Sequence, residues 1–511
     1  MLTKYSILFF SLSVLVMFSC LKNKQDYTTD KIAYTLSWDG KSSTLNVHLK
    51  IPTKGEKEII LVHTPDPFDI KFECISELTI KENLPYIKKN NKYTIQNKDN
   101  KALIEVNYTI NGKNKYEEKE KLKTHDVYRM YFLPDIKEDY LSLSGSHFLL
   151  NPENEAIASL LNTVSWKNVP EYLNKFDVIN DKLVTTSEVN NSIFIFSRDL
   201  KVEEFDINNI PHYLIDVDKL APHNQEKVTE AAKKLVPNTL RFFNDYDFPY
   251  YLAYVRQPPV AKLAKNILGK RKGAMSAMAK GNGFTAAVLG EIGEHESLII
   301  LHESLHRWFK SLGKTFEHLW FNEGFNEYVT FYMAAGLDYI SREKFEENLN
   351  NNLRYYYSVL KNFPEKRNND YVRKNVERDR SLMGANYIKG FIFAFYLDNK
   401  IRLSSNGSKT FQDLMIDYAI VRRNTKLPLG QNISLASFEK IVANYLPLKE
   451  VQSDIKKYMI KGAYIDFGKE KLMNGITLKM KPIVNSRNGQ TDTIPVFKYL
   501  SKNKMNEMFE F

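Results

Sequence analysis

The sequence contains very little cysteine: two residues, Cys20 and Cys74, in a chain of 511. Such scarcity excludes the class of small secreted domains held together by several disulfides, so stability must come from packing. Material for packing is abundant, because hydrophobic residues make up 43% of the chain and aromatic residues 13%. This composition is that of a globular protein, and its length predicts two or three domains.

A concentrated basic stripe is also missing. The chain carries 72 Lys and Arg against 61 Asp and Glu, a formal net charge of +11, but much of the excess is lysine scattered among asparagines in predicted loops. A protein that reads nucleic acid usually concentrates its basic residues in a stripe with stacking aromatic residues. We therefore expect a solvated basic surface and no nucleic-acid partner.

The apolar run near the N-terminus is too short to span a bilayer comfortably. Residues 1–20 read MLTKYSILFFSLSVLVMFSC, with a basic start, an apolar run and a small residue before Cys20. This pattern predicts an export signal, and Met17–Cys20 resembles the lipobox of bacterial lipoproteins. Lipidated Cys20 would anchor the chain to a membrane, facing the periplasm or the cell surface; an ordinary signal peptide cleaved nearby is the alternative. With Cys20 acylated only Cys74 remains, which is predicted to be a small buried apolar residue.

Periodicity of the apolar residues predicts an α+β multidomain fold. Alternating segments indicate an N-terminal all-β domain, helical spacing then dominates, and alternation returns near the C-terminus. The predicted divisions are a signal peptide at 1–20, a tether at 21–30, the β domain at 31–205, a catalytic domain at 206–465 and a small β segment at 466–511. The predicted helices are Leu298–Leu312, Asn322–Ala335, Arg342–Leu360, Gly384–Leu403, Phe411–Tyr418 and Ser437–Tyr445.

Residues 302–306 read HESLH, a string with the spacing of a metal site. Residues i and i+4 share one face of a helix, so His302 and His306 can reach one metal ion. Glu303 points about 100° round the helix, where it can hold a metal-bound water as general base without ligating the metal. Two histidines on a buried helix can also be hydrogen-bonded core residues, so the string alone leaves both interpretations open.

A third ligand is available further along the chain. Zinc needs three protein ligands and an open position for catalysis. After sixteen intervening residues, the string LWFNEGFNEY at 319–328 begins a second predicted helix and offers Glu323 as that ligand. One turn later, Glu327 can accept a hydrogen bond from the far nitrogen of a zinc-bound imidazole, or be an exposed surface acid. His295 and His318 are expected in surface or loop positions rather than as ligands.

The string LWFNEGFNEY resembles the ligand helix of the gluzincin aminopeptidases, both the family of aminopeptidase N and leukotriene A4 hydrolase and the glycyl aminopeptidase family. Residues 386–402, NYIKGFIFAFYLDNKIR, are similar to the segment that carries the catalytic tyrosine in those families, and the match puts that tyrosine at Tyr387. The continuation through FQDLM at 411–415 is more similar to the glycyl branch. The resemblance implies a thermolysin-like catalytic domain, one Zn²⁺ per chain, and a Tyr387 hydroxyl that stabilises the oxyanion formed during peptide hydrolysis.

Upstream, the chain departs from the families it resembles. Those aminopeptidases have a glycine-rich edge strand that holds the peptide backbone and carries an acid for its free amine. The corresponding stretch here is expected within 273–285, with Gly273, Ala274, Met275 and Gly283 as substrate-binding residues, but it contains no carboxylate. A peptide can still add to such an edge by backbone hydrogen bonds. The glycines can equally mark a loop without a ligand role.

The sequence thus predicts an exported, aminopeptidase-like zinc peptidase that acts on peptides or unfolded proteins. Two alternatives remain: an endopeptidase that needs no free N-terminus, and a catalytically silent lipoprotein that only binds peptides. A silent relative is expected to have lost a ligand or the base. Here every expected site residue is present, which favours the enzyme.

Overall fold

The structure is a computed structural model, and the chain forms two compact units, Met1–Leu200 and Lys201–Phe511. It describes residues 31–63, 74–112, 134–216, 220–256, 272–280, 282–313, 317–358, 360, 363–376, 379, 381–425, 432–473, 475–484, 491–499 and 508–509. The predicted fold class is confirmed: an N-terminal unit of β-sheets is followed by a unit rich in helices. The export signal, Cys20 and the tether lie outside the described residues. Among the described helices, none combines the length and the apolar character needed to cross a membrane.

The first unit is built from three sheets, with strand orders β11-β1-β2-β7-β4, β10-β3-β6-β5 and β12-β13-β9-β8. Its strands are β1 Lys31–Ser37, β2 Thr44–Pro52, β3 Glu58–His63, β4 Ile75–Ile80, β5 Tyr86–Lys89, β6 Lys92–Gln96, β7 Leu103–Asn111, β8 Asp135–Lys137, β9 Tyr140–Ser144, β10 Leu150–Pro152, β11 Leu161–Lys167, β12 Asn174–Phe176 and β13 Ile193–Ser197. Three short helices lie between them: α1 Gly145–Phe148, α2 Glu155–Ala158 and α3 Thr186–Asn191.

Alternation of side chains explains how these strands form one core. In β1 the side chains of Ile32, Tyr34 and Leu36 are buried while their neighbours are partly exposed, as expected when one face of a sheet is packed. Cys74 is buried in the same core, as predicted, and its thiol donates to the carbonyl oxygen of His147 at 3.0 Å. The unit is therefore stabilised by packing.

The second unit begins with a five-stranded sheet of order β14-β15-β16-β18-β17. Its strands are β14 Lys201–Ile207, β15 Ile210–Asp216, β16 Tyr251–Arg256, β17 Gly273–Lys280 and β18 Gly283–Gly290. The β15, β16 and β18 strands run parallel, and β14 and β17 pair antiparallel at the two edges. The unit starts at Lys201, five residues before the expected boundary, because β14 pairs with β15 along its whole length.

Helices make up most of the rest of this unit. They are α4 Pro222–Lys234, α5 Val236–Phe243, α6 Glu294–Leu305, α7 Asn326–Gly336, α8 Arg342–Ser358, α9 Pro364–Arg367, α10 Asn369–Asn375, α11 Ser381–Ser404, α12 Phe411–Asn424, α13 Leu435–Val442 and α14 Leu448–Asp454, with π-helical turns at Trp320–Phe325 and Ile455–Ile460. Three predicted bounds differ notably. The helix expected to reach Leu312 ends at Leu305, the helix expected from Asn322 starts with a π-helical turn, and the helix expected to stop at Tyr418 continues to Asn424.

The C-terminal β segment is a hairpin of β19 Ile476–Val484 and β20 Thr491–Tyr499. It belongs to the core of the second unit, since Phe497 is fully buried there. The Asn350 side chain on α8 donates to the carbonyl of Phe497 at 3.0 Å and accepts from its N–H at 2.9 Å. The Met508 carbonyl accepts from the Tyr332 hydroxyl at 2.6 Å. The paired strands β19 and β20 are thus packed into the core of the helical unit.

Candidate metal centre

Helix α6 carries the HESLH string on the buried side of the unit. At its start, the Gly293 N–H donates to the Glu296 carboxylate at 3.0 Å, which satisfies one of the free amides of the first turn. Leu298, Leu301 and Leu305 are buried at helical spacing and pack into the core. The helix is therefore anchored along its length, and its C-terminal end is rigidly placed.

At that end, three side chains approach one another closely. Single nitrogen or oxygen atoms of His302, Glu303 and His306 all lie within 4.8 Å of each other. The two imidazole rings are 4.9 Å apart between centroids and almost perpendicular, so each presents a different edge to the space between them. His302 and His306 are four residues apart and share one face of the helix, so both rings reach the same point.

Glu323 reaches this point from the π-helical turn Trp320–Phe325, which leads directly into α7. Two glycines make the approach of α11 to this turn feasible. A Cβ on Gly324 would lie 2.4 Å from the Cα of Gly390, and a Cβ on Gly390 would lie 1.9 Å from the carbonyl oxygen of Trp320. Only glycine tolerates such backbone contact. The close packing brings Tyr387, one turn before Gly390 on α11, beside Glu323.

The distances from Glu323 to the two imidazoles are those expected for ligands of one zinc ion. The Glu323 Oε2 atom lies 3.4 Å from His302 Nε2 and 3.6 Å from His306 Nε2. Two ligands that each sit about 2.0–2.1 Å from a tetrahedral zinc ion are about 3.3 Å apart. Both His302 Nε2 and Glu323 Oε2 are buried and make no hydrogen bond among the described residues. Buried polar atoms are rarely left so, and a bound cation satisfies both. The residues present therefore fit a zinc ion.

Neighbouring groups orient the two imidazoles. The His302 Nδ1 atom lies 3.0 Å from Glu327 Oε2, and the His306 Nδ1 atom lies 3.0 Å from the carbonyl oxygen of Phe309. Each acceptor favours a proton on Nδ1 and leaves Nε2 with its lone pair toward the common point. The Asn322 amide donates to Glu323 Oε1 at 2.6 Å, which directs the other carboxylate oxygen to the same place.

The charges of the site are strongly coupled. Burial alone would lower the pKa of His302, but the carboxylates of Glu323 and Glu327 raise it to about 10. Burial opposes ionisation of Glu323, yet His306 and His302 lower the pKa of this carboxyl to about 2. The carboxylates therefore stabilise a positive charge between the imidazole and Glu323, and a metal cation can take the place of the proton.

Glu303 faces the edge of the sheet as well as the two histidines. Burial raises the pKa of Glu303, and the backbone N–H of Ala279, on the edge strand β17, acts as a donor toward its carboxylate and opposes this rise. A raised pKa suits a carboxylate that must take up a proton and then release it. The ring of Tyr387 stacks on His302 at 5.7 Å between centroids, and its hydroxyl is close enough to the Glu323 carboxylate to act on the pKa of that group. Burial raises the pKa of Tyr387 well above its usual value, so its hydroxyl remains a donor.

The expected substrate-binding residues are divided between two strands. Gly273, Ala274 and Met275 lie on β17, the outer strand of the described sheet, four to six residues before Ala279, the residue of this strand that interacts with the base. Gly283 lies on the inner strand β18, where a Cβ would meet the carbonyl oxygen of Leu252 at 2.0 Å. A packing requirement thus accounts for this glycine, which is not on the edge.

The other two histidines near the string lie apart from this cluster. His295, in the first turn of α6, is exposed and packs against Phe331 at 5.9 Å between ring centroids. His318 is buried and packs against Trp320 at 5.9 Å. Neither ring joins the group of His302, Glu303 and His306, as expected from the sequence.

Known structures with a similar fold include a member of the aminopeptidase N family. A crystal structure of an aminopeptidase N family protein from Idiomarina loihiensis superposes with a TM-score of 0.63 at 15% sequence identity, covering 90% of this chain and 81% of that one. The chain has an aminopeptidase N-like fold. Two further structures are more distant. Yeast LTA4 hydrolase in complex with bestatin has a TM-score of 0.49, 13% identity, and coverage of 88% and 70%. Legionella pneumophila aminopeptidase A in complex with aspartic acid has a TM-score of 0.46, 12% identity, and coverage of 91% and 51%. No family model matches the sequence, and no curated protein matches it.

Sequence reasoning missed several groups that shape the site. Asn326 is fully buried, and its side chain donates to the carbonyl oxygen of His302 at 2.9 Å, which ties α7 to α6. The carbonyl of Phe309 and the N–H of Ala279 act through the backbone, so no side-chain pattern could identify them. Asn322 and Asn326 flank Glu323 within the string that suggested the third ligand, and a polar residue beside a buried ligand was an available signal.

Proposed function

We propose that this protein is a zinc-dependent peptidase that hydrolyses peptide bonds and is aminopeptidase-like in its chemistry. One observation carries the proposal: the Nε2 atoms of His302 and His306 and one oxygen of Glu323 lie around a single point, with Glu303 and Tyr387 beside it. Structural cores rarely leave such buried donors without partners. The aminopeptidase N-like fold supports the same interpretation.

His302, His306 and Glu323 would hold the zinc ion. When bound, zinc supplies Lewis-acid activation of a water molecule and of the scissile carbonyl. Glu303 takes a proton from the attacking water and returns it to the leaving amine, a task for which its buried and raised pKa is suited. The Tyr387 hydroxyl, which stays protonated, donates to the oxygen on which negative charge develops.

The edge strand is the proposed binding surface for the substrate backbone. In an antiparallel pair, the N–H and C=O of one residue point to the same side, and successive residues alternate. Since the N–H of Ala279 reaches Glu303 rather than β18, the backbone groups of Ala277 and Met275 are expected on the outer side too. A peptide that adds there as a strand would pass its carbonyls in front of the base.

A Glu303→Gln variant tests the proposal. The substituted amide keeps the shape of the side chain but cannot accept a proton, so we expect peptide cleavage to fall by at least about a hundredfold while one zinc ion per chain is retained. The matched control is Glu294→Gln on the same helix, where the acid is exposed, and it is expected to cleave at the wild-type rate. Full activity of E303Q would refute the role of the base. Tight peptide binding without turnover in the zinc-loaded wild type would indicate the silent alternative.

A second candidate is an endopeptidase that does not need a free N-terminus. The observation that favours it is the composition of β17: Gly273–Lys280 reads GAMSAMAK and has no acid to pair with a substrate amine. Digestion of a peptide library with free or acetylated N-termini, read by mass spectrometry, separates the two candidates. Cleavage restricted to free N-termini would rule out the endopeptidase.

We also propose that the protein is closest to the glycyl aminopeptidase branch and that it is an exported lipoprotein. The sequence from Leu397 to Met415 supports the first point, and within it the Asp398 carboxylate accepts from Arg402 Nε at 2.9 Å and from the Phe411 N–H at 3.1 Å. The export signal and lipobox-like sequence support the second. Mass spectrometry of the mature N-terminus tests it, and an unmodified Cys20 there would remove the anchor.

A further inference from the structure

Arg307, the residue directly after His306, is a buried cation with an unusual environment. Its guanidinium carbon lies 3.8 Å from the ring centroid of Phe248 and 4.6 Å from that of Tyr251, so the charge is held between two aromatic faces. Asp245, a buried acid whose charge acts on Arg307, accepts hydrogen bonds from Trp308 Nε1 at 2.9 Å and from Arg423 Nη1 at 3.2 Å. Arg307 itself makes its hydrogen bonds to backbone carbonyls.

Those two carbonyls belong to the sheet that carries the edge strand. Arg307 Nη2 lies 3.3 Å from the carbonyl oxygen of Tyr250, just before β16, and 3.4 Å from that of Asn282, just before β18. The Asn282 carbonyl also accepts the N–H of Leu252 at 3.0 Å. One side chain therefore reaches from the end of the metal helix to the tip of the β17–β18 hairpin.

Glu303 lies in the last turn of α6, and Arg307 lies two residues beyond its end, in the turn where the Arg307 N–H donates to the carbonyl of Ser304. Glu303 contacts the hairpin through the N–H of Ala279, and Arg307 contacts it three residues later through the carbonyl of Asn282. The sheet is thus held to the helix at two points of opposite charge. Position 303 is the proposed base, whereas position 307 lies behind it and contacts backbone carbonyls and aromatic rings of the protein.

We propose that Arg307 is a positioning residue that fixes the β17–β18 hairpin against the metal helix, so that a peptide bound along β17 lies in register with Glu303. This proposal rests on the proposed peptidase function. A lysine is a poor replacement for the arginine, because its compact, strongly hydrated ammonium group lacks the flat guanidinium face that contacts the rings of Phe248 and Tyr251. The arginine therefore couples peptide binding to the geometry of the catalytic centre.

The test compares Arg307→Lys with Arg402→Lys, each in the full-length protein. Arg402 is a matched control, since it is similarly buried in the same unit but pairs with Asp398 and donates to the Met508 carbonyl, away from the hairpin. Amide hydrogen exchange read by mass spectrometry should show the hairpin amides exchanging about tenfold faster in R307K than in R402K, as expected from loss of one charge-assisted hydrogen bond. Zinc content should be unchanged in both variants.

Steady-state kinetics distinguish a positioning role of Arg307 from a purely structural role. With a pentapeptide substrate, KM of R307K should rise about tenfold while kcat changes less than about threefold, because strand pairing weakens and Glu303 stays on its helix. Hairpin exchange that is no faster in R307K than in R402K would overturn the proposal, and so would an unchanged KM. If the wild type cleaves no peptide, the proposed function fails, and the exchange comparison still decides whether Arg307 holds the hairpin.

Discussion

Replacing Glu327 by glutamine measures how far this acid, in the first turn of α7, controls the zinc affinity of the site. Glutamine has nearly the same size as glutamate but removes the negative charge that lies 3.0 Å from His302 Nδ1. Loss of such an outer-sphere carboxylate typically lowers metal affinity by about 10–100-fold, or about 1.4–2.7 kcal/mol. The Glu327 side chain is 29% exposed, and solvent screens part of its charge, so we expect a value near the lower end.

Competition between zinc and a proton at His302 works in the opposite direction, and it makes the expected loss of zinc affinity depend on pH. Glu327 helps to raise the pKa of His302 to about 10, so zinc must displace a proton from this imidazole. In E327Q the pKa of His302 is lower and the proton competes less. The loss of affinity should therefore be smallest at acidic pH and should grow as the pH rises toward the pKa of the wild-type imidazole.

The assay is competition for zinc between the purified protein and a chromophoric chelator, repeated across pH. Glu347→Gln is the control, because Glu347 is an exposed helical acid whose carboxylate pairs with Lys344 at 2.8 Å. We expect E347Q to bind zinc as the wild type does, and E327Q to bind about tenfold more weakly at neutral pH. Identical zinc affinities for E327Q, E347Q and the wild type would show that Glu327 is only a surface acid and would refute the reasoning.

Three further predictions concern α11. Tyr387→Phe should lower kcat by about 10²–10³-fold with little change in KM, measured by peptide hydrolysis, because the hydroxyl acts only on the developing oxyanion. Burial lowers the pKa of Lys389 to about 7, so between that pH and about 10.5 the unfolded chain binds a proton that the folded chain does not. In urea unfolding, the free energy of unfolding of the wild type should rise over this pH range by at most about 1.4 kcal/mol per pH unit. The Lys389→Met substitution should remove this rise. Gly390→Ala should lower the thermal midpoint and the activity, since its Cβ would meet the Trp320 carbonyl at 1.9 Å, whereas Gly384→Ala, with open space around it on the same helix, should be neutral or stabilising.

The sequence was most informative where one local pattern determines the outcome. Four-residue spacing on a helix is sufficient to bring His302 and His306 to one point, and the strand alternation of Ile32, Tyr34 and Leu36 is sufficient to predict a packed sheet face. The fold class could be predicted because these two periods differ along the chain. The boundary at Lys201 could not, because β14 resembles a strand of the first unit and only its pairing with β15 assigns it to the second.

What the sequence could not supply is the set of contacts made through the backbone. The π-helical turn that carries Glu323 has no clear signature, and its position depends on the contact between Gly324 and Gly390, which are far apart in sequence. The acceptors that select the imidazole tautomers include the carbonyl of Phe309, and the donor on Glu303 is the N–H of Ala279. Every residue type has these groups, so no residue pattern can reveal them.

The geometry of the candidate site depends on contacts that the two short strings do not encode. The residue types that perform the proposed reaction are fixed by two short strings, but the angles between them are fixed by glycine contacts and backbone hydrogen bonds outside the HESLH string. A misplacement of about 1 Å at such a site can cost about a hundredfold in rate. A chain that kept both strings but replaced Gly390 would therefore retain every recognisable feature of the proposed peptidase, and we expect it to lose most of the proposed activity.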